Sequence, residues 1–261
     1  MEFHRLAKEQ QLWKLGLELL LLPVLLMVFA VLGVALYSNP PRGIETMTDV
    51  FVLAAVLPVP FLAARIMGRD PAALISVAKR VRWDIVGKSA AIAVPPYAIW
   101  LAINAADGEA QFTRFTLCLL VVYILVTPLQ AATEELLFRA SLPQILGARL
   151  RSPWLAYGIP MIPFIFLHIY NWLGLLDIVV FAACAAYLTW RTGGIEAAVV
   201  LHAANNIMVF GGEALHPNRP VLVEVSPQLA ATSIAVTVAV TGLLALRLRP
   251  QQRLLPSPQP S

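Results

Sequence analysis

Apolar stretches of about twenty residues recur along most of this chain, and that repetition restricts it to one kind of architecture. A bilayer core of about 30 Å takes roughly 20 residues of helix to cross. In hydrocarbon every backbone N–H and C=O has to be satisfied within the protein, which a helix does by itself. Candidate spans lie at about 16–37, 50–67, 88–104, 115–132, 154–170, 172–190, 194–211 and 228–247. With 59% hydrophobic and 13% charged residues, the 261-residue chain leaves room for little else. The expected fold is all-α, a polytopic membrane helical bundle of about eight transmembrane helices. It forms one domain over 1–247, followed by a cytoplasmic tail at 248–261 that is too rich in proline to fold.

Lys and Arg accumulate in cytoplasmic loops. With both termini placed in the cytoplasm, every Lys and Arg falls on that side except Arg42, Arg114, Arg219 and the intramembrane Arg139. The net charge of +4 therefore reflects topology, and no basic surface is left over for nucleic acid. The expected location is the cell (inner or plasma) membrane. The amino-terminal apolar run is too long for a secretory h-region and reads as an anchor. The loop from Gly68 to Lys88 mixes Lys79, Arg80 and Arg82 with Leu74, Ile75, Val77 and Val81, which suits an interfacial helix or a plain positive-inside loop. Cys118 and Cys184 lie in apolar runs and suggest neither a disulfide framework nor a metal cluster. Pro128 and Pro143 divide the long stretch from Phe115 to Leu146 into a span and a second helical piece, re-entrant or tilted.

That second piece carries Glu134 and Glu135, and ionisable groups held in a membrane mark functional sites. Glu135 and Arg139 are four residues apart with the acid first, the favourable order for an ion pair within a helix. Glu134 is rotated away from that pair and is a candidate general base. A purely structural charge cluster is the competing reading. Phe164 and His168 share a helical face, as do His202 and Asn206, and alanines between the latter two permit close helix approach. Counting 1.5 Å per residue from the helix starts puts Glu134, His168 and His202 at compatible depths, nearer the cytoplasmic face. A cavity opening to that half of the bilayer is expected. Asp107, Glu109, Glu213 and His216 fall in expected outer loops and receive no chemistry.

The ordered set Glu134-Glu135-x-x-x-Arg139, Phe164-x-x-x-His168 and His202-x-x-x-Asn206 resembles the CPBP (CAAX protease and bacteriocin-processing, or Abi) family of intramembrane proteases. The run from Thr192 to His202 is similar to the approach to that family's last motif. The resemblance covers about 119–210. It implies hydrolysis of a peptide bond in a membrane-associated peptide or protein, as in the Ras-converting CAAX endopeptidase. Glu134 with His168 would activate water, His202 with Asn206 would stabilise the oxyanion, and Glu135, Arg139 and Phe164 would orient them.

No Ser or Cys accompanies the histidines to argue for a covalent mechanism. Glu134, His168 and His202 could form a His₂Glu zinc site, but no His-Glu-x-x-His run is present and Asn206 is a poor zinc ligand. A mechanism without a cofactor is favoured, with zinc as the alternative. The partners are the substrate and the lipid bilayer; the sequence fixes neither the substrate nor the oligomeric state. A non-proteolytic helper or immunity role within the family is the competing function. A proton-coupled transporter is a weaker one, because no internal repeat is evident.

Overall fold

The computed structural model describes residues 2–36, 45–220 and 222–250. The tail expected beyond that, and the last residue of the first expected span, lie outside the described residues. Among the described residues there are helices and turns but no strand. In chain order the helices are α1 (Leu12–Leu36), α2 (Glu45–Ala55), α3 (Pro58–Ile66), α4 (Trp83–Asn104), α5 (Arg114–Glu135), α6 (Leu142–Gly147), α7 (Pro153–Phe166), α8 (Trp172–Thr192), α9 (Glu196–Leu215) and α10 (Pro227–Arg247). Among the described residues, six helical stretches are long and apolar enough to cross a membrane: Thr46–Ile66, Trp83–Asn104, Arg114–Gly147, Trp172–Thr192, Glu196–Leu215 and Pro227–Arg247. This is a multi-pass membrane protein.

Two expectations about helix continuity change. The second expected span is present as Thr46–Ile66, but its regular winding is interrupted between α2 and α3 at Pro58 and Pro60, neither of which can donate to the backbone ladder. The stretch around the glutamates is not divided at Pro128. Arg114–Gly147 runs as one helical path in which Leu136–Ser141 is wound as a π-helix. Pro143 falls in the first turn of α6, where its missing N–H costs least. Such π turns recur at functional sites, and this one directly follows Glu134 and Glu135.

Helices in lipid gain no hydrophobic drive from touching each other, so close packing and polar cross-links hold them together. α9 is the central helix, packed on α5, α4 and α8, while α2 packs on α5 and α10 on α8. Ala131 on α5 and Ala197, Ala198, Ala203 and Ala204 on α9 are buried and keep the backbones close. Tyr97 and Thr237 share a 3.0 Å hydrogen bond between α4 and α10.

The basic end of the bundle is tied down by the segment after α3. It does not form an interfacial helix. A 3₁₀ turn, Pro71–Leu74, turns Ala73 and Leu74 inward, and Ser76 pairs with Gly194 in an isolated antiparallel bridge. Gly193 ends α8 at φ 70, a left-handed cap that glycine adopts without strain. Arg82 then grips Glu196 at the start of α9 through 2.8 and 2.6 Å contacts and the Thr192 carbonyl at 2.7 Å. Arg69 reaches Glu18 on α1 at 2.6 Å and also Gln144 on α6. The amino-terminal 3₁₀ turn, Phe3–Arg5, presses the His4 carbonyl so closely on Gly147 that a side chain there would collide.

The opposite end has its own clamp. Arg219 contacts Asp107 at 2.7 Å and Glu109 at 2.6 Å, and His216 Nε2 lies 3.0 Å from Asp107. The Glu109 amide, with His216 and Arg219, holds the Asp107 carboxyl well below the usual carboxylate range.

Candidate active site

Glu134 and Glu135 end α5 against the face of α9 that carries His202 and Asn206. His202 lies between the two glutamates: its Nδ1 donates to Glu135 Oε1 at 2.8 Å, and its Nε2 is 3.5 Å from Glu134 Oε2. Glu135 and His202 are buried, while Glu134 keeps 14% of its side-chain surface open. The two acids thus meet one imidazole from opposite sides, and only Glu134 also reaches open space.

Glu134 divides its carboxylate between two environments. Oε1 accepts a 2.8 Å hydrogen bond from Gln130 Nε2, one turn earlier on α5. Oε2 is buried without a hydrogen-bond partner. Gln130 Oε1 in turn accepts from Asn206 Nδ2 at 3.1 Å, so one amide links the acid of α5 to the amide of α9. Gln130 was not singled out in the sequence. Its signal was there: a polar residue four before Glu134, on the same face of an apolar helix.

Arg139 and Glu135 do approach each other, Nε to Oε2 at 3.4 Å, with both side chains buried. That separation is ionic, and none of the guanidinium nitrogens makes a hydrogen bond among the described residues. The π turn carries Arg139 over the face of Phe164, its central carbon 4.0 Å from the ring centroid. This is a cation–π contact in a dry site, where such contacts are strongest. Phe164 is the hub of the aromatic packing, 4.8 Å from His168, 5.2 Å from Phe138, and 6.4 Å from both His202 and Phe181.

His168 follows α7 immediately and is anchored by its own helix end. Its Nδ1 donates to the Phe164 carbonyl at 2.8 Å, which leaves Nε2 as the acceptor of a neutral ring. A cavity of about 570 Å³ is lined by Gln130, Glu134, Phe138, Phe164, His168 and Asn206. His202 and Glu135 stand behind Glu134 and do not line it. Of the residues drawn from the sequence, Glu134, His168, Asn206 and Phe164 face the cavity, and Glu135, Arg139 and His202 form the buried layer behind.

The cavity does not extend toward the basic end. From the site it follows Asn205, Val209 and Glu213 along α9 to Asp49 on α2, Asp177 on α8 and Leu229 on α10. The depth of Glu134 places it near the basic end, but depth does not decide access. Among the described residues, no three His, Cys, Asp or Glu side chains are grouped so that they could hold a metal ion. Both ring nitrogens of His202 are turned to carboxylates, and His168 spends Nδ1 on a backbone carbonyl.

No curated protein and no solved structure matches the chain. Residues 114–208, from the first turn of α5 to just beyond Asn206 on α9, match the family model described as Type II CAAX prenyl endopeptidase Rce1-like, a model of the CPBP family.

Proposed function

We propose that the protein is an intramembrane endopeptidase in which Glu134 and His168 activate water for attack on a peptide carbonyl. The observation that carries this reading is the placement of Glu134: it lines the same cavity as His168 and Asn206, with Oε1 held by Gln130 and Oε2 backed by His202 Nε2 at 3.5 Å. A water in that cavity can be held by the Glu134 carboxylate and by Nε2 of His168. As its oxygen bonds to the carbonyl carbon, its proton passes to Glu134. The carbonyl electrons become an oxyanion, which the cavity-facing amide of Asn206 stabilises by donation. Glu134 then returns the proton to the departing amine as the oxyanion collapses and the C–N bond breaks, leaving a carboxylic acid and an amine. His202, pinned by Glu135, supports Glu134 from behind, a different share of the work from a free oxyanion donor. The step needs no cofactor from these residues, and the surrounding low dielectric strengthens each interaction. The bundle is read as eight spans with both termini in the cytoplasm, in keeping with the distribution of Lys and Arg.

The test uses the purified full-length protein in proteoliposomes with fluorogenic membrane peptides, one set prenylated with a CAAX end and one set not. Wild type should cleave at least one set, and Glu134→Gln should lose the activity by a factor on the order of 10² to 10⁴ while keeping its elution profile and melting temperature. Equal cleavage by Glu134→Gln and wild type would sink the assignment of the base.

A further inference from the structure

Among the described residues, the cavity at the proposed active site is closed at one end of the bundle and its lining continues to the other. At the basic end Phe3, Ala64, Leu74, Leu136, Ala140 and Ile195 form one buried apolar cluster that draws together the amino-terminal turn, α3, the segment after it, the π turn and the start of α9. Each is at most 5% exposed, and none of them lines the cavity. The Arg82–Glu196 pair fastens the same region. This plug is built from five separate parts of the chain, so opening it would undo much of that end of the fold.

Everything that lines the cavity beyond Asn206 lies toward the far end. Glu213 is seven residues further along α9, roughly 10 Å, and Asp177, Leu229 and Ser233 come from the first two turns of α8 and α10. One side wall is also loosely closed. Among the described residues, α2 packs on α1 and α5, and α7 packs on α6 and α8, with no comparable packing between α2 and α7 or α8 across the cavity they both line. We infer that substrate reaches Glu134 from the end opposite the plug, which the distribution of Lys and Arg makes the extracytoplasmic side. The occupant is then a peptide segment exposed on, or inserted from, the outer half of the bilayer.

The lining refines its chemistry. Among the described residues, Asp49, Glu134, Asp177 and Glu213 line the route and no Lys or Arg does, so a free terminal carboxylate would travel it against like charge. A segment bearing Lys, Arg or an amine meets no such obstacle. This rests on the protease reading for the role of Glu134, but the route itself can be measured without activity.

The experiment replaces Cys118 and Cys184 and introduces single cysteines: Asp49→Cys and Leu229→Cys on the route, Ala78→Cys beside the plug and Ala106→Cys in the loop after α4. Intact spheroplasts and inverted vesicles are treated with a membrane-impermeant maleimide. Asp49→Cys and Leu229→Cys should label in spheroplasts along with Ala106→Cys, and Ala78→Cys only in inverted vesicles. Labelling of both route positions from the same face as Ala78→Cys would overturn the proposal whether or not the protein cleaves anything. Where activity is measurable, a lysine-bearing probe peptide should be cleaved at least tenfold better than its glutamate counterpart. Asp177→Asn with Glu213→Gln should narrow that ratio. An unchanged ratio would remove the charge preference and leave the route standing on the labelling.

Discussion

Glu135 and His202 are joined across the interface of α5 and α9 by a 2.8 Å hydrogen bond, and both side chains are buried. The bond fixes the imidazole so that its other nitrogen faces Glu134. Two neighbouring acids thereby take unlike positions: Glu135 is enclosed and Glu134 borders the cavity. Glu135→Gln should therefore lower kcat by about 10² or more with little change in KM, since the substrate does not touch this residue. Steady-state kinetics on the cleaved probe peptide checks it; a change confined to KM would contradict the positioning role.

Arg139 has a structural burden of its own. It is buried between Glu135 and the Phe164 ring, so Arg139→Ala strands the acid in a dry site, a loss that typically costs about 3–5 kcal/mol. Reduced yield and an earlier unfolding transition in detergent are the expected outcome. Removing both charges, in Glu135→Gln with Arg139→Met, should be less destabilising than the two single effects combined. Simple additivity of the three variants would show that the 3.4 Å approach carries no coupling.

The clamp at the far end sets a pH response. Asp107 sits below its ordinary carboxylate value in the fold, so its contribution is complete above the unfolded pKa of about 3.9 and is lost as pH falls through the lower, folded value. Neutral to mildly acidic conditions should leave the clamp intact. Hydrogen exchange in the loop after α4 should rise only in stronger acid, and Asp107→Asn should remove that dependence. The group is exposed, so a small effect is expected.

A strong chelator should leave the proposed hydrolysis unchanged, because His202 directs both nitrogens to carboxylates and no three candidate ligands gather among the described residues. Loss of activity that zinc restores would instead favour the His₂Glu reading, and Asn206→Ala would then have only a mild effect.

The helices and the motif pairs were legible because both follow from fixed periods: about 20 apolar residues for a span, and four residues for one helical face. The i,i+4 spacing correctly brought Glu135 to Arg139 and put Phe164 beside His168. Three things were not legible. The π turn at Leu136–Ser141 has no apolar period of its own, so nothing in the sequence said that Arg139 would lie over Phe164. The segment from Gly68 to Lys88 looked interfacial because its apolar and basic residues alternate; its burial depends on a partner more than a hundred residues away, Gly194. The direction of the cavity is set by which ends the loops close, which depth along a helix does not encode.

Gln130 offers the most discriminating test of the site. Its amide donates to Glu134 and accepts from Asn206, so a single buried side chain orients both the proposed base and the proposed oxyanion donor. Gln130→Leu leaves an acceptor on α5 and a donor on α9 without partners, each costing about 1–3 kcal/mol if it stays dry. Loss of stability alone would not separate a positioning role from a packing one. Turnover per folded enzyme would: with Glu134 Oε1 and the Asn206 amide no longer held by one side chain, kcat should fall by about 10² in Gln130→Leu. Gln130→Asn is too short to reach both partners and should keep the polarity yet restore little activity. A folded Gln130→Leu enzyme with wild-type kcat would show that the link between Glu134 and Asn206 holds the helices together and plays no part in the chemistry.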